Sequence, residues 1–377
     1  MKVLYFGGSF DPAHKAHRTL LKAAVAELRP DAVHIVPAYH SPFKTKSPTP
    51  FNLRMQSAKI MFKGIKANII FDNFEQKQKK KTYAWEVVKY LKETYKNPQI
   101  FMLTGTDTLN TIMSWKNPDY LLKNITVVTG KRIGIAIEKL PFKYIELKAR
   151  IPKISSTFLR LDTMINGVPS PHMGKEIAQL AEENDLYALG IHKWLKENLK
   201  ENRYLHSKAV AHLAYCLAYI NDVNPDDCVI AALLHDAGKS MSSEQLVDYC
   251  VKNKIKPPFF KEICMYSPDL LHSYVSAHIA KTIFKIKNQD IIEAVKHHTL
   301  GAVNMPLFAK ILFVADIASK DRKYPGAMTI RTTAHKDINA AMKMAAATKL
   351  TFTIKSGKWL CPEGIYLWND LAVKQNF

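Results

Sequence analysis

The sequence predicts an α/β domain with a parallel β-sheet, followed by an all-α domain. The chain has 377 residues, roughly two to three times the length of an ordinary domain. Short apolar runs alternate with helical patterns in the first half, and long helical segments with almost no strand signal follow. We therefore expect one domain over residues 1–190 and a second over residues 191–377.

The first domain opens with a predicted strand at residues 3–6 and a helix at about residues 14–27. Strands separated by helices pair in parallel and are covered by helices on both faces, so this half should form a parallel sheet. The remaining predicted strands are residues 32–37, 68–71, 100–104 and 125–129, and a further helix is predicted at residues 84–95.

The second domain carries apolar residues at three- and four-residue spacing, which is typical of amphipathic helices. Helices are predicted at residues 205–220, 226–238, 290–298 and 308–319. The tail beyond about residue 334 is amphipathic and then aromatic; we assign it no function from the sequence and treat it as packing.

Composition narrows the function classes. No apolar run is long enough for a membrane helix, and the opening apolar segment meets Gly7 and Gly8 too soon for a signal peptide, so we expect a cytoplasmic protein without a membrane partner. Five cysteines without a CxxC pair disfavour both a disulfide framework and a thiolate zinc site. A homo-oligomer is compatible with the sequence.

The formal net charge is +21, but only nine of the 54 basic residues are arginine. Nucleic-acid recognition uses arginine where bidentate geometry matters, and the lysines here are scattered. The charge therefore favours a solvated lysine-rich surface over a nucleic-acid interface. Small anionic ligands such as nucleotides remain compatible with it.

A glycine-rich turn follows the first predicted strand and leads into the first helix. Gly7 and Gly8 allow a ligand to approach the backbone, and the free N–H groups of a helix N-terminus favour phosphate. His14 and His17 are three residues apart, so they face the same side of the first helical turn and could hold one polyphosphate.

Four segments in this half resemble the HxGH nucleotidyltransferases and, among them, bacterial nicotinate mononucleotide adenylyltransferases. They are GGSFDPAHKAH at residues 7–17, TGTD at 104–107 followed by Trp115, ISSTFLR at 154–160 and NDLY at 184–187. The resemblance implies a Rossmann-like fold and the transfer of AMP from ATP to nicotinate mononucleotide. The products would be deamido-NAD and pyrophosphate, with Mg²⁺ accompanying ATP.

The resemblance also implies the roles of individual residues. Phosphate charge would be neutralised by His14, His17, Lys44 and Arg160, with hydroxyls from Ser155 and Ser156. ATP would lie against Gly7, Gly8, Ser9 and Phe10, while Asp107 would meet a ribose hydroxyl and Trp115 would stack on the pyridine ring.

Two positions depart from that family. Ala16 replaces the glycine of HxGH, and Thr82-Tyr83-Ala84 replaces the usual SYT, a segment that helps to read the nicotinate carboxylate. Pantetheine-phosphate adenylyl transfer is the alternative within the same fold. Trp115 after the GTD segment and the ISST segment both argue against it.

In the second domain, histidines and aspartates recur on predicted helices. His235 and Asp236 form a charged pair near the end of an otherwise apolar helix, where metal ligation would compensate the cost of burial. Imidazole and carboxylate ligands suit iron, manganese or zinc, and the number of such residues exceeds one tetrahedral zinc site. Two divalent metal ions close together would account for them.

The segments RYLHS, LLHDAGK, LLH, HTLG and AD…R…PG resemble HD-domain phosphohydrolases, and in detail the bacterial symmetrical diadenosine-tetraphosphate hydrolases. The resemblance covers about residues 195–330. It implies a di-metal site, with iron favoured and manganese or zinc as alternatives, and phosphate contacts from Lys239 and Arg322. The implied metal ligands are His206, His235, Asp236, His272, His298 and Asp316.

Together the two halves predict a bifunctional enzyme whose partners are ATP, nicotinate mononucleotide and a dinucleoside polyphosphate. The second activity would split diadenosine tetraphosphate into two ADP. Two alternatives for the second domain stay open: cleavage of another nucleotide, and a non-catalytic module that senses RNA or a nucleotide.

Overall fold

The computed structural model describes residues 1–39, 49–132, 134 and 136–373. They group into two units. The first comprises Met1–Asp162 and Pro169–Tyr187, and the second comprises Thr163–Val168 together with the chain from Ala188 onward. None of the helices in the described ranges combines the length and apolarity needed to cross a bilayer.

The first unit is a parallel α/β fold. Its strands are β1 (Lys2–Gly8), β2 (Ala32–Pro37), β3 (Ile69–Phe71), β4 (Gln99–Thr104), β5 (Ile125–Arg132) and β6 (Tyr144–Ile151). Its helices are α1 (Lys15–Leu28), α2 (Phe51–Phe62), α3 (Phe74–Gln78), α4 (Ala84–Thr94), α5 (Thr106–Leu109), α6 (Pro118–Asn124), α7 (Ser156–Asn166) and α8 (Lys175–Glu183).

The strands are ordered β3-β2-β1-β4-β5-β6, and all pairings are parallel. The predicted parallel sheet is therefore confirmed. The order reverses beside β1, and such a switch point opens a crevice at the carboxyl ends of the strands. Strand β6 was not predicted, although YIELKARI alternates apolar and polar residues as a sheet-edge strand does.

The second unit is all helical, as predicted. Its helices are α9 (Leu189–Asn198), α10 (Glu201–Ile220), α11 (Pro225–Leu234), α12 (Ser243–Lys252), α13 (Phe260–Tyr266), α14 (His272–Thr282), α15 (Gln289–His297), α16 (Leu307–Ala318), α17 (Gly326–Ala334), α18 (Ile338–Lys355) and α19 (Pro362–Val373).

The predicted helix at residues 226–238 is too long. Helix α11 ends at Leu234, and a 3₁₀ turn follows at Ala237–Ser240. The turn passes close to the start of α14, because a Cβ at Gly238 would lie 2.4 Å from the carbonyl oxygen of His272. Gly238 therefore permits a close backbone approach that brings His235 and Asp236 towards α14.

A buried histidine makes the stability of the second unit pH-dependent. His192 Nε2 donates to the Met164 carbonyl at 2.7 Å, so Nδ1 accepts from the Tyr204 hydroxyl at 3.0 Å. Burial lowers the pKa of His192 to about 4. An unfolded histidine titrates near pH 6.5, so between those values the unfolded chain binds the extra proton and stability falls as the pH falls.

We expect the free energy of unfolding to drop by roughly 2 kcal/mol between pH 7 and pH 5 through His192. Urea unfolding of the wild-type protein and of H192N at both pH values measures this, because other groups cancel in the difference. H335N, at an exposed histidine of the same unit, should keep the wild-type pH dependence. Equal pH dependence in the wild type and H192N would contradict the prediction.

Candidate active sites

A cavity of about 770 Å³ opens at the carboxyl ends of β1 and β4, where Gly8 and Thr104 line it. This is the crevice expected at the switch point of the sheet. The sequence-predicted residues that line it are Gly7, Gly8, Ser9, Phe10, His14, His17, Asp107, Trp115, Ser155 and Ser156. Ala16, at the position of the family glycine, also lines it.

The two histidines of the first turn of α1 stack on each other, with ring centroids 3.7 Å apart. His17 Nδ1 accepts from the His14 backbone N–H at 3.2 Å, so the proton of a neutral His17 ring lies on Nε2. Burial and the charge of Arg132 lower the pKa of His14 to about 4, and burial with His14 and Arg132 lowers the pKa of His17 well below its usual value. Both rings are therefore neutral hydrogen-bond donors at neutral pH.

Arg54 holds the glycine-rich turn by hydrogen bonding to its backbone. Arg54 was not among the site residues predicted from the sequence. Its guanidinium is buried and donates to the carbonyls of Ser9 at 2.9 Å, Ala38 at 2.7 Å and Thr49 at 3.0 Å. Phe10 adopts a left-handed backbone with φ of 48° and is buried. The arginine thus ties together the loops that follow β1 and β2, which positions the backbone expected to meet ATP.

Arg132, at the end of β5, is a second residue that sequence reasoning missed. It forms an ion pair with the carboxylate of Asp107, and its Nη2 donates to the Ile154 carbonyl at 3.1 Å. Asp107 is therefore paired with an arginine in the structure. The arginine joins the segment after β4 to the segment before α7, and it adds positive charge to the cavity.

The serines and Arg160 of the ISST segment differ in their placement. Ser156 Oγ donates to the Pro12 carbonyl at 2.9 Å, and Ser155 Oγ accepts from the Phe158 N–H at 3.1 Å, at the start of α7. Arg160 does not line the cavity: it is buried, and Nη1 donates to the Asp11 carbonyl at 2.8 Å. The phosphate contact of Arg160 stays a prediction. Lys44 lies outside the described residues.

In the second unit, three predicted ligands share one local geometry. The Nδ1 atoms of His235, His272 and His298 each contact the carbonyl oxygen three residues earlier, at 2.6, 2.5 and 2.7 Å. A carbonyl accepts only, so Nδ1 carries the proton and the lone pair lies on Nε2. The three Nε2 atoms are thereby prepared as ligands.

Asp236 lies between these histidines. Its Oδ1 is 3.3 Å from His272 Nε2 and 3.7 Å from His298 Nε2, whereas its Oδ2 is 3.7 Å from His235 Nε2. Burial alone would raise the pKa of Asp236, but the neighbouring histidines hold it well below its usual range. One carboxylate thus faces three imidazoles, two at Oδ1 and one at Oδ2.

His206 is oriented by a carboxylate instead of a carbonyl. Its Nδ1 contacts Asp321 at 2.7 Å and its Nε2 contacts Asp316 at 3.1 Å. Burial lowers the pKa of His206, but hydrogen bonds to Asp316 and Asp321 outweigh this and raise it to about 9. A carboxylate behind a ligating histidine is a common supporting contact in metal sites, and sequence reasoning had not assigned Asp321 to it.

The residues fit divalent cations. Two groups place possible ligand atoms within 4.8 Å of one another: His206, His235 and Asp316, and His235, Asp236 and His298. His235 Nε2 is completely buried and has no hydrogen-bond partner among the described residues. Burying an imidazole nitrogen without a partner between two carboxylates costs folding free energy unless a cation binds to the nitrogen and the carboxylates. The second unit therefore holds candidate His/Asp sites for divalent metal.

A cavity of about 560 Å³ leads to this cluster and carries several cationic side chains. Arg322 Nη2 donates to Asp316 at 2.6 Å, and Lys239 lines the wall. Arg203, which was not predicted, donates to Asp236 Oδ2 at 3.2 Å. Such a distribution suits a polyanionic ligand beside metal ions.

The C-terminal tail does more than pack, contrary to expectation. Lys349 of α18 donates to Asp316 Oδ2 at 3.3 Å and to the His298 carbonyl at 2.7 Å, and it lines the cavity. The reason is tertiary: α18 packs against α16, which carries Asp316. A lysine 33 positions away from its partner leaves no pattern in the sequence.

Comparisons with known proteins match both halves. The cytidylyltransferase-like family model matches residues 5–161, and the HD domain model matches residues 203–321. A probable nicotinate-nucleotide adenylyltransferase of Aliarcobacter butzleri is 34% identical over 170 residues, which span 45% of this chain and 91% of that protein.

Two further relatives extend the match to the second half. The symmetrical bis(5'-nucleosyl)-tetraphosphatase of Halalkalibacterium halodurans is 29% identical over 181 residues, 48% of this chain and 95% of that protein. A Mycoplasma genitalium protein named probable nicotinate-nucleotide adenylyltransferase/Ap4A hydrolase is 28% identical over 326 residues, 85% of this chain and 88% of that protein. Both resemblances seen in the sequence are thus confirmed, and the chain belongs to the nicotinate-nucleotide adenylyltransferase family, with an HD domain in its second half.

Proposed function

We propose that this chain is a bifunctional enzyme. Its first domain would transfer AMP from ATP to nicotinate mononucleotide, giving deamido-NAD and pyrophosphate. Its second domain would hydrolyse diadenosine tetraphosphate symmetrically to two ADP. We propose that the boundary between the domains lies near residue 190 and that both activities take place in the cytoplasm. Assembly into a homo-oligomer stays a prediction.

The stacked histidines at the start of α1 carry the proposal for the first site. The mononucleotide phosphate would attack the α-phosphate of ATP, so the protein has only to position two anions and neutralise developing charge. His17, neutral and protonated on Nε2, would donate to a phosphate oxygen. The glycine-rich backbone held by Arg54 would bind the triphosphate, and Mg²⁺ would neutralise ATP oxygens with few protein ligands.

The position of Asp236 carries the proposal for the second site, because one of its oxygens faces His272 and His298 and the other faces His235. His206, His235, Asp316 and one oxygen of Asp236 would hold one ion, and His272, His298 and the other oxygen would hold the second. We propose iron at both positions, with manganese or zinc as alternatives. The ions would supply Lewis-acid chemistry for hydrolysis. Arg203, Lys239, Arg322 and Lys349 would orient the polyphosphate.

Product analysis tests both halves. Purified protein is incubated with ATP and a panel of mononucleotides, and separately with dinucleoside polyphosphates and other nucleotides, and products are separated by chromatography. Deamido-NAD from nicotinate mononucleotide and two ADP from diadenosine tetraphosphate are expected. Transfer of AMP to pantetheine phosphate would replace the activity proposed for the first domain. Cleavage of another nucleotide only would replace the activity proposed for the second domain. A second domain without bound metal or hydrolysis would indicate the sensing module.

We further propose that lysines near Tyr83 favour nicotinate over nicotinamide. Lys116 Nζ lies 4.9 Å from the Tyr83 ring centroid and Lys81 Nζ lies 5.8 Å from it, and both line the cavity beside Trp115. A pyridine ring stacked on Trp115 would bring its carboxylate towards this positive charge. Such a charge could compensate for the altered SYT segment.

We expect K116A to raise the KM for nicotinate mononucleotide roughly threefold to tenfold and to leave the KM for ATP unchanged. The preference over nicotinamide mononucleotide should fall by the same factor. K89A, at an exposed lysine of α4, is the matched control and should behave as the wild type. Equal effects of K116A on both mononucleotides would show that the lysine does not read the carboxylate.

A further inference from the structure

The wall of the second cavity extends beyond the segment that matches the HD domain. That match ends at residue 321, but α18, α19 and the connection between them supply much of the lining. Phe352 and Thr353 follow Lys349 by three and four residues on α18, so both lie on the same side of the helix as Lys349. Lys358 and Trp359 follow in the connection. The C-terminal segment therefore contributes both charge and aromatic surface to this cavity.

Three aromatic side chains that are exposed or half-buried line this cavity: Tyr266 at the end of α13, and Phe352 and Trp359 of the C-terminal segment. They are here called the aromatic wall. Tyr266 is 57% exposed and Phe352 is 65% exposed, and the Trp359 ring is half-buried. The rings of Tyr266 and Trp359 have centroids 5.7 Å apart and an interplanar angle of 37°. Large aromatic groups clustered in the open part of a cavity mark a binding surface for an apolar, planar group.

The aromatic wall shares its cavity with the cationic residues of the candidate metal site. Lys349, one turn before Phe352 and Thr353, reaches Asp316, and Arg203 and Arg322 reach the two carboxylates of the cluster. A ligand that fits both features joins several negative charges to a flat ring. A nucleotide has that chemistry, because its phosphates suit the cationic end and its base can stack on aromatic rings.

We infer that Tyr266, Phe352 and Trp359 bind an adenine base of the dinucleoside polyphosphate while its phosphates lie at the metal cluster. The inference rests on the proposed hydrolase function and adds a base-binding surface formed by α13 and the C-terminal segment. Stacking contributes to substrate binding without contacting the reacting phosphate, so its loss should affect KM more than kcat.

The kinetic test compares W359A and Y266A with the wild type in hydrolysis of diadenosine tetraphosphate by the full chain. Each variant should raise KM about tenfold, because stacking of a base on one aromatic side chain increases the affinity by roughly that factor. The kcat should stay within a factor of about two. W359F should retain most of the affinity. Y219A removes a tyrosine that is 75% exposed on α10, outside the cavity lining, and should match the wild type.

A binding test does not depend on hydrolysis. ADP is titrated into the wild type and W359F while tryptophan emission is recorded, so that quenching of the other tryptophans cancels in the difference. We expect the wild type to show additional quenching from Trp359. Metal content and thermal unfolding of each variant are measured in parallel, because a purely structural role would lower Tm and kcat without changing KM.

The outcomes separate the inference from the function on which it rests. Hydrolysis with unchanged KM in W359A and Y266A, and no quenching difference, would overturn the base-binding surface and leave the hydrolase intact. Quenching of Trp359 by ADP in a protein that cleaves no dinucleoside polyphosphate would overturn the hydrolase and support the surface. Absence of both hydrolysis and the quenching difference would overturn both.

Discussion

Replacing Asp236 by alanine will abolish hydrolysis of diadenosine tetraphosphate, with a loss of roughly a thousandfold or more. The two oxygens of this carboxylate face different imidazoles, Oδ1 towards His272 and His298 and Oδ2 towards His235. Alanine removes the one residue that both proposed metal positions share. Without it, Asp316 is the one carboxylate left among the proposed ligands, and the position at His272 and His298 keeps only neutral nitrogen ligands.

Metal analysis and activity assays check this prediction together. D236A should purify with far less metal than the nearly two ions per chain expected of the wild type, while its adenylyl transfer stays unchanged. D248A is the matched control, because Asp248 is an exposed aspartate on α12 of the same unit. Full hydrolysis by D236A, or wild-type metal content with lost hydrolysis, would contradict the assignment of Asp236 as a shared ligand.

The contacts that sequence reasoning located are those fixed by short-range structure. Gly7 and Gly8 end a strand, and His14 and His17 follow at the start of a helix, so the strand, the glycines and the helix together predict that these residues lie at one turn. Three histidines of the second site, His235, His272 and His298, each contact a carbonyl three residues earlier, a feature of helix ends that is also local. Residues that owe their position to one turn of backbone leave a readable pattern.

The missed contacts come from tertiary packing. Arg54 reaches the Ser9 carbonyl 45 positions away, and Lys349 reaches Asp316 33 positions away. Neither contact has a periodic signal, because the sheet order and the packing of α18 on α16 determine it. The hydrogen bond from Arg160 to the Asp11 carbonyl, 149 positions away, is likewise set by tertiary packing, whereas the motif gives only the place of Arg160 in the chain.

The second large effect is expected at the other site: H17A should lower kcat of adenylyl transfer roughly 100-fold to 1,000-fold and leave hydrolysis intact. His17 Nδ1 is occupied by the His14 N–H, so the ring offers Nε2–H to the cavity as a donor whose orientation is fixed before substrate binds. Burial keeps the pKa of His17 well below its usual value, so this donor is neutral. Alanine leaves the transferred phosphate without that donor when its charge develops.

H172A is the matched control for H17A, because His172 is an exposed histidine of the same unit and does not line the cavity. Initial rates of deamido-NAD and ADP formation are measured on each protein.

H17A and D236A together test whether the sites act independently: each variant should lose one activity only. If either folded variant lost both activities, transfer and hydrolysis could not belong to separate sites, since His17 lines one cavity and Asp236 the other. A rise in KM alone for H17A would instead assign His17 to ground-state binding of substrate, because loss of a donor used only in the transition state lowers kcat.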